Sequence, residues 1–581
     1  MAKPRVILWA RSLSLGMSLA LGVGLFAGCL DDPQDPKTWI KKLDDVREQK
    51  EAIRQLERLA TSKDRPPDIE TAVGPLTALF KKTKDPQHLQ AVTKIRSEKA
   101  LDLLIEQLDY SDDNFENASV AATGILELAN RDDQGREAAK RAVPDLIKAL
   151  EKKLPIKTRA NVVKVEVMKA LTVIKDPAAV PALDKVIETS ADEQDFFLNK
   201  EAARHLGVFA DARSVPSLVR GLFMTGRGSD IFSPCRIALV RIGEPSVDKV
   251  IEALQGKNAA LNEDAKKGEF LPGLVVQKMS IILGDLRSKK ALPALLAELN
   301  KKDEGMAPDC LSGVKQCVSG HQSVIQAIGL IGDVSAAKTV LGILNDPKKH
   351  NKLRAAAAEA LNFMGATEGL PAMLAAAKTP YVKPAKTKDD LPEIDVEKAT
   401  LAVQAVTQFS RLADTDQMAA VEPLAKAAPI DTDAYVAFHN AVARIEAVAK
   451  CKKDAACYGG LFEFEAKEME RLEGTKAGKD ELEKVKIDID KAKSSARAEK
   501  AAFMLSRMGH DNVGVLVKNI AYKDTTVRTA ILFALTRVAT AKDTDAIKAI
   551  NAQIDIDRTK DKVGQAMADE ERIAAAIVAH R

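Results

Sequence analysis

Aromatic residues make up only 4% of this 581-residue chain, so large rings cannot fill its interior and Ala, Leu, Val and Ile must do so. Helix pairs packed at close range suit that composition. Net charge is scarce as well. The formal charge is +4, and Lys3, Arg5 and Arg11 lie in a segment expected to be removed; the 87 basic residues less those three stand against 83 acidic ones, leaving about +1. No electrostatic footprint for nucleic acid remains, which excludes that class of partner. Catalytic signatures are missing too: there is no P-loop, no G-x-S-x-G, no CxxCH and no glycine-rich dinucleotide fingerprint. The seven histidines are scattered singly, and a lone His on a helix is usually a core or surface residue rather than a ligand. Glu201 and His205, spaced i, i+4, share a helix face and read as an ordinary surface pair rather than an acid/base couple. No enzyme, metal or cofactor is expected.

What the chain has instead is repetition. A length of 581 residues exceeds what one hydrophobic core usually serves. Within it, HQSVIQAIGLIGDVSAAKTVLGILND is followed at once by KLRAAAAEALNFMGATEGLPAMLAAA. Each copy is an Ala-rich amphipathic segment, Val324 to Ile331 and Arg354 to Met364, closed by Gly332 or Gly365 and followed by a second apolar segment. Ala and Leu at three- and four-residue spacing favour helix, and the glycines stand where a C-terminus wants φ > 0. Two helices and a turn, repeated, make an α-solenoid.

The form recurs at Val165–Ile187, Glu201–Leu222, Cys235–Leu254 and Val276–Leu299, with turns at Asp176, Asp211, Glu244, Asp285, Asp333 and Ala366. Pro181, Pro216, Pro293 and Pro371 are each expected in the first turn of the helix after the linker, where a missing N–H costs nothing. These segments resemble HEAT repeats of the phycobilisome-lyase-like subclass, over most of residues 70 to 380 and, more weakly, from Leu401 to the C-terminus. The resemblance implies an all-α fold, a HEAT-type α-solenoid forming a right-handed superhelix of stacked helix pairs. It also implies a ladder of Asp at a turn and Arg in the next helix, matched here by Asp346 with Arg354 and by Asp524 with Arg528, in which Asp caps the helix and Arg reaches a neighbouring carboxylate. HEAT-like enzymes of the deoxyhypusine hydroxylase kind hold iron through His-Glu pairs, and no His-Glu dipeptide exists here. Nothing independently marks a tetrapyrrole site, although bilin lyases share the repeat subclass.

Residues 1–28 read as a signal: a basic start, then an uncharged Leu13–Phe26 stretch interrupted by Gly16, Gly22 and Gly24, too short and glycine-rich for a permanent span. Leu25-Phe26-Ala27-Gly28-Cys29 resembles a bacterial lipobox, with Phe26 where an aliphatic residue is usual. That implies lipidation of Cys29 and stable anchoring by two or more acyl chains. Residues 29–36 are expected to be an extended tether, 37–400 the N-terminal and central repeats, and 401–581 more divergent helical repeats. Leu30, rather than Asp, follows the lipidated position, which by the same resemblance favours the outer membrane.

The first helix is expected from Lys37, with Trp39, Leu43, Val46, Ile53, Leu56 and Leu59 on one face and Trp39 anchoring a capping layer. Four interruptions, Thr225–Pro234, Gly256–Gly273, Lys301–Gly320 and Thr379–Glu397, read as edge loops, and Lys467–Lys500 reads as a solvated helix pair broken by Gly474 and Gly478. Of the six cysteines, Cys310 with Cys317 and Cys451 with Cys457 are candidates for local disulfides. Cys235 reads as a buried small hydrophobe. The expectation for function is a membrane-anchored scaffold binding proteins of the bacterial cell envelope. Stacked second helices would form its concave surface, and Arg204, His205, Arg241, Gln326, Glu359, Asn362 and Arg537 would be its polar positions. The alternative is an envelope enzyme or chaperone-like factor for a small molecule or cofactor.

Overall fold

The computed structural model describes residues 32–112, 114–303, 319–383, 393–430, 432–475 and 481–581. Cys29, Cys310 and Cys317 lie outside these residues, as does the whole of the 1–28 segment. The chain packs as two compact units, divided after Leu103.

In the first unit, Asp35 caps the short helix α1 (Pro36–Ile40) by accepting from Lys37 N, with Pro36 in the first turn. The chain then turns, and α2 (Gln49–Thr61), α3 (Val73–Thr83) and α4 (Pro86–Lys94) pack around Leu56, Ile69, Leu76, Phe80 and Leu89. The expected continuous first helix is therefore broken at Lys41. Val46 is 86% exposed rather than on an apolar face, because the run Asp44-Asp45 offers side-chain oxygens that favour a turn, and Asp45 takes the Arg47 N–H. Trp39 is half-buried and donates its ring N–H to the Pro33 carbonyl at 3.0 Å.

The second unit is a helical solenoid. Its first helices are α5 (Glu116–Arg131), α6 (Asn161–Ile174), α7 (Phe196–Phe209), α8 (Phe232–Ile242), α9 (Pro272–Leu286), α10 (His321–Ile331), α11 (Asn351–Met364) and α12 (Val396–Leu412). Each packs on the next in line. Between them run shorter second helices, such as Val180–Glu188, Val215–Gly221, Leu292–Glu298 and Leu370–Ala377, each carrying its proline, Pro181, Pro216, Pro293 or Pro371, in the first turn.

The linkers are built alike. After α6, α7, α9, α10 and α11 a left-handed residue ends the first helix, and a 3-10 turn then leads into the second. Gly332 and Gly365 take φ of 74° and 71° at two of these ends, but Lys175, Ala210 and Arg287 take φ of 52–58° at three others, each bearing the cost of a Cβ there. Asp176, Asp211 and Asp333 cap the turns by accepting from Ala178 N, Arg213 N and Ser335 N. Asp285 does not belong to this set: Ser288 precedes that turn, and Asp285 stands inside α9, paired with Arg236. Small residues set the spacing between first helices. A Cβ on Gly329 would stand 2.5 Å from the Ala360 Cα, so α10 and α11 meet backbone to backbone.

Stacking continues without interruption past residue 400, as α12 packs on both α11 and the Leu370–Ala377 helix. There follow α13 (Asp433–Cys451), α14 (Ala455–Glu473), α15 (Glu481–Met508), α16 (Thr525–Val538), α17 (Thr544–Asp557) and α18 (Lys562–His580). The row runs α12–α13–α15–α16–α18, and α18 then returns to pack against α8 and α9. An apolar cluster of Ile237, Val240, Ile573, Ala576 and Ile577 seals the return. From α8 to α18 the solenoid is thus a closed ring, and α5, α6 and α7 continue the row beyond it. The first helices, not the second, line the inside, since these are the helices that meet α16 and α18.

Two further expectations give way. Among the interruptions, Thr225–Gly226 and Ser229–Asp230 pair as a two-residue hairpin, and Ala259–Lys266 forms a helix capped by Asn258. The charged stretch Lys467–Lys500 is a solvated helix pair over most of its described residues, with Lys467, Arg471 and Asp488 exposed, but its C-terminal end is core. Glu499 and Lys500 in α15 are buried, because their charges find partners: Glu499 meets Arg411 and Arg444, and Lys500 Nζ donates to the carbonyls of Ser410, Arg411 and Ala413 at 2.9, 2.8 and 2.9 Å, at the C-terminal end of α12. Among the described residues, no helix is long and apolar enough to cross a membrane.

Candidate functional site

Helix C-termini converge on the inside of the ring, and cations meet them. The last carbonyls of a helix have no intrahelical donor and carry the negative end of the dipole. Arg537 donates to Phe363 O in the last turn of α11 at 2.6 Å. Arg287 and Arg581 both donate to Thr536 O near the end of α16, at 3.0 and 2.9 Å, and His580 Nε2 donates to Arg241 O at the end of α8 at 2.7 Å. Arg507 donates to the Asn362 side-chain oxygen at 3.3 Å, and Asn362 Nδ2 donates to Gln408 at 3.1 Å. Burial lowers the Arg287 guanidinium to about 9, with Arg537 adding to the effect.

These contacts decide where the expected partner surface is. Asn362 is buried and Arg537 is bonded across the ring, so neither is presented to a second protein. Gln326 donates to Glu359 at 2.8 Å inside a cavity of about 430 Å³ that also holds Phe363 and Phe533. The physical reason is the return of α18 and α16 onto the central helices, which occupies the inner face from α8 to α11.

Arg204, His205 and Arg241 are brought together in a different place. They line a cleft of about 720 Å³ bounded by α7, α8, the 225–230 hairpin, the turn after α17 and α18. Its other charged residues are Lys200, Glu201, Asp230, Arg558, Asp569 and Arg572. Every carboxylate is engaged: Glu201 by Arg204, Asp569 by Arg572 and the Ser233 hydroxyl, and Asp230 by the Phe232 N–H. Arg558 pairs with Asp555. Arg241 is half-buried, and its guanidinium makes no hydrogen bond or ion pair with any described residue. Burial lowers its pKa, and the charge of Arg572 lowers it further.

His205 is not the partner of Glu201. Its Nδ1 lies 2.8 Å from Thr172 Oγ1, and that hydroxyl stands 2.7 Å from Met168 O. A hydroxyl has one proton, which the Met168 carbonyl takes, so Nδ1 must carry the imidazole hydrogen and donate to Thr172. Nε2 is then a bare acceptor, buried and without a partner. Burial depresses the His205 pKa to about 4, helped by Lys169 and Arg204, so the ring is neutral at pH 7.

The expected ladder pairs are placed as follows. Asp524 caps α16 through Thr526 N and Val527 N, and Arg528 reaches Asp557 at 3.1 Å. Asp346 accepts from Lys348 N, but His350 caps α11, and Arg354 donates to the Leu344 carbonyl at 3.0 Å rather than to a carboxylate. Cys451, the last residue of α13, is bonded to Cys457 in the first turn of α14, stapling that corner. Cys235 is a buried free thiol. Among the described residues, no group of three or more His, Cys, Asp or Glu is placed to hold a metal ion.

No protein-family model matches the sequence, and no curated protein matches it either. Solved structures do overlap with it. Yeast importin-beta is 10% identical, covering 93% of this chain and 73% of its own, with a TM-score of 0.38. Human deoxyhypusine hydroxylase is 16% identical over 54% of this chain and 96% of its own, TM-score 0.19. The CpcE–CpcF complex of phycocyanin lyase from a Nostoc species is 16% identical over 59% and 86%, TM-score 0.17.

Proposed function

We propose that the chain is a protein-binding scaffold without catalysis of its own, and that its binding face is the α5–α6–α7 stretch that the ring leaves uncovered. One observation carries this. Inside the ring, polar side chains such as Arg236, Arg287 and Asn362 are bonded to the C-terminal helices, whereas along α6 and α7 the apolar Val162, Phe197 and Val208 are exposed beside Lys169 and Arg204, with Glu166 and Glu201 largely covered. On α6, Val162, Glu166 and Lys169 follow one another at helical spacing. On α7, Phe197, Glu201, Arg204 and Val208 do so, with Phe197 52% exposed and Val162 and Val208 at 40% and 43%. Apolar residues lined up beside charged groups on one helix face offer a protein partner both apolar area to bury and ion pairing.

The site of action in this proposal is a bacterial envelope, most simply the outer membrane, with a lipidated Cys29 confining the scaffold to two dimensions. Confinement raises the effective concentration of membrane-bound partners without adding any contact. The test is in-cell cross-linking of the tagged full-length protein followed by mass spectrometry, with Cys29→Ala and Phe197→Asp as comparisons. A reproducible envelope partner, lost or sharply reduced in both variants, is the expected result. A partner captured equally by Phe197→Asp would move the interface elsewhere, and none above background would remove the scaffold reading.

A further inference from the structure

We propose that the cleft between α7, α8 and α18 receives an acidic peptide segment of the protein partner, with a side-chain carboxylate held by Arg241 and Arg572 and a backbone N–H donated to His205 Nε2. This rests on the scaffold reading and specifies what the partner must present.

Buried cations elsewhere on the inner row show what a satisfied site looks like. Arg236 has Asp285 through two hydrogen bonds of 2.7 and 3.0 Å, and Glu570 at 2.9 Å. Arg444 has Glu499, and Lys500 uses all three of its protons on carbonyls. Arg241 has none of this. It sits half-buried in a cleft with Arg572 as its charged neighbour and with the local carboxylates already committed. A guanidinium in that position has five N–H donors and an unmet preference for a planar, two-oxygen acceptor.

The second unsatisfied group has the opposite polarity. His205 Nε2 is an acceptor, by the Thr172 and Met168 contacts that place the proton on Nδ1. A ligand suited to the cleft must therefore bring an anionic oxygen pair and a hydrogen-bond donor together. A carboxylate side chain on an amide backbone offers both within one residue. Val208 at the rim, in line with Arg204 and Phe197 along α7, gives an extended segment an apolar surface on which to leave the cleft toward the open face.

The experiment uses the full-length mature protein and three probes: a fluorescently labelled oligoglutamate peptide, the matching oligolysine peptide, and N-acetylglutamate as a competitor. Fluorescence anisotropy at low ionic strength should show saturable binding of oligoglutamate and none of oligolysine. Arg241→Gln should weaken binding about tenfold or more, the loss expected of a charge-assisted bidentate contact, while Arg241→Lys should recover part of it. Arg213→Gln, which removes one exposed charge away from the cleft, should leave it unchanged. Unaltered thermal melting of Arg241→Gln would show that the loss is local. Equal affinity for wild type and Arg241→Gln overturns the inference, as does displacement by N-acetylglutamate at concentrations matching the peptide, which would make this a small-molecule site. If the cross-linked partner of the preceding section persists while oligoglutamate fails to bind, the scaffold reading stands and this one falls; if no partner is captured at all, both fall.

Discussion

At the scale of single residues, this protein is marked by ionisable groups buried where a sequence reading would put them in water. Glu571 in α18 is fully buried against Asp557, which also holds Arg528 at 3.1 Å and Lys560 at 2.6 Å. Burial raises the Glu571 pKa to about 8, and the neighbouring Asp557 carboxylate adds to the rise. The folded state thus keeps a proton that the unfolded chain releases near its ordinary value of 4.5. Stability should be unaffected by this group in acid, decline as pH rises above the unfolded value, and stop declining once pH has passed about 8. Glu571→Gln should melt like the wild type at pH 5 and higher than it at pH 9; identical melting at both would remove the effect. Lys500 makes the converse case. Burial pulls its pKa down, yet three carbonyl acceptors call for three protons, which only the ammonium supplies. Lys500→Met keeps the volume but strands those carbonyls, and should cost about 3 kcal/mol in chemical denaturation. A loss below about 1 kcal/mol would mean that water replaces the amine.

Helices are the next scale, and here the low aromatic content has its consequence. Close helix pairs depend on positions where no side chain fits. Gly329 on α10 faces Ala360 on α11 with no room for a Cβ. Gly329→Val should push the two helices apart and destabilise by about 2–3 kcal/mol, measured as a shift in denaturation midpoint; a neutral result would mean that the row can slide. Helix ends were partly readable in advance. Proline in the first turn of each second helix and glycine at two left-handed ends follow from local backbone sterics, which the residue type itself carries. Lys175, Ala210 and Arg287 at the same left-handed positions could not be read that way, because nothing in those side chains prefers φ > 0. Arg354 shows the same limit. Its spacing from Asp346 matched a ladder, but a helix C-terminus at Leu344 lay nearer than any carboxylate.

For the second unit as a whole, the deciding feature is the return of α18 to α8, joining residues more than 300 positions apart, as Ser233 with Asp569 at a separation of 336 shows. The cluster around Ile577 and the Arg236–Glu570 pair at 2.9 Å hold that closure. Ile577→Asp should open it, seen as a larger radius of gyration by small-angle scattering while helix content by circular dichroism stays near that of wild type. An unchanged radius would mean that the polar contacts suffice to keep the ring shut.

The sequence by itself determined the class of structure: repeated amphipathic pairs, their turns, their proline positions, the Cys451–Cys457 staple and the Asp524 cap. All of these are set by interactions between residues a few positions apart, which periodicity and residue type encode directly. Only the tertiary structure decided which helices face inward, that Asn362 and Arg537 are consumed inside the ring, that Glu499 and Lys500 are core, and that Arg204, His205 and Arg241 share a cleft. Each of these depends on curvature. A small rotation between successive pairs accumulates along the row until the chain meets itself, and no single repeat contains the sum.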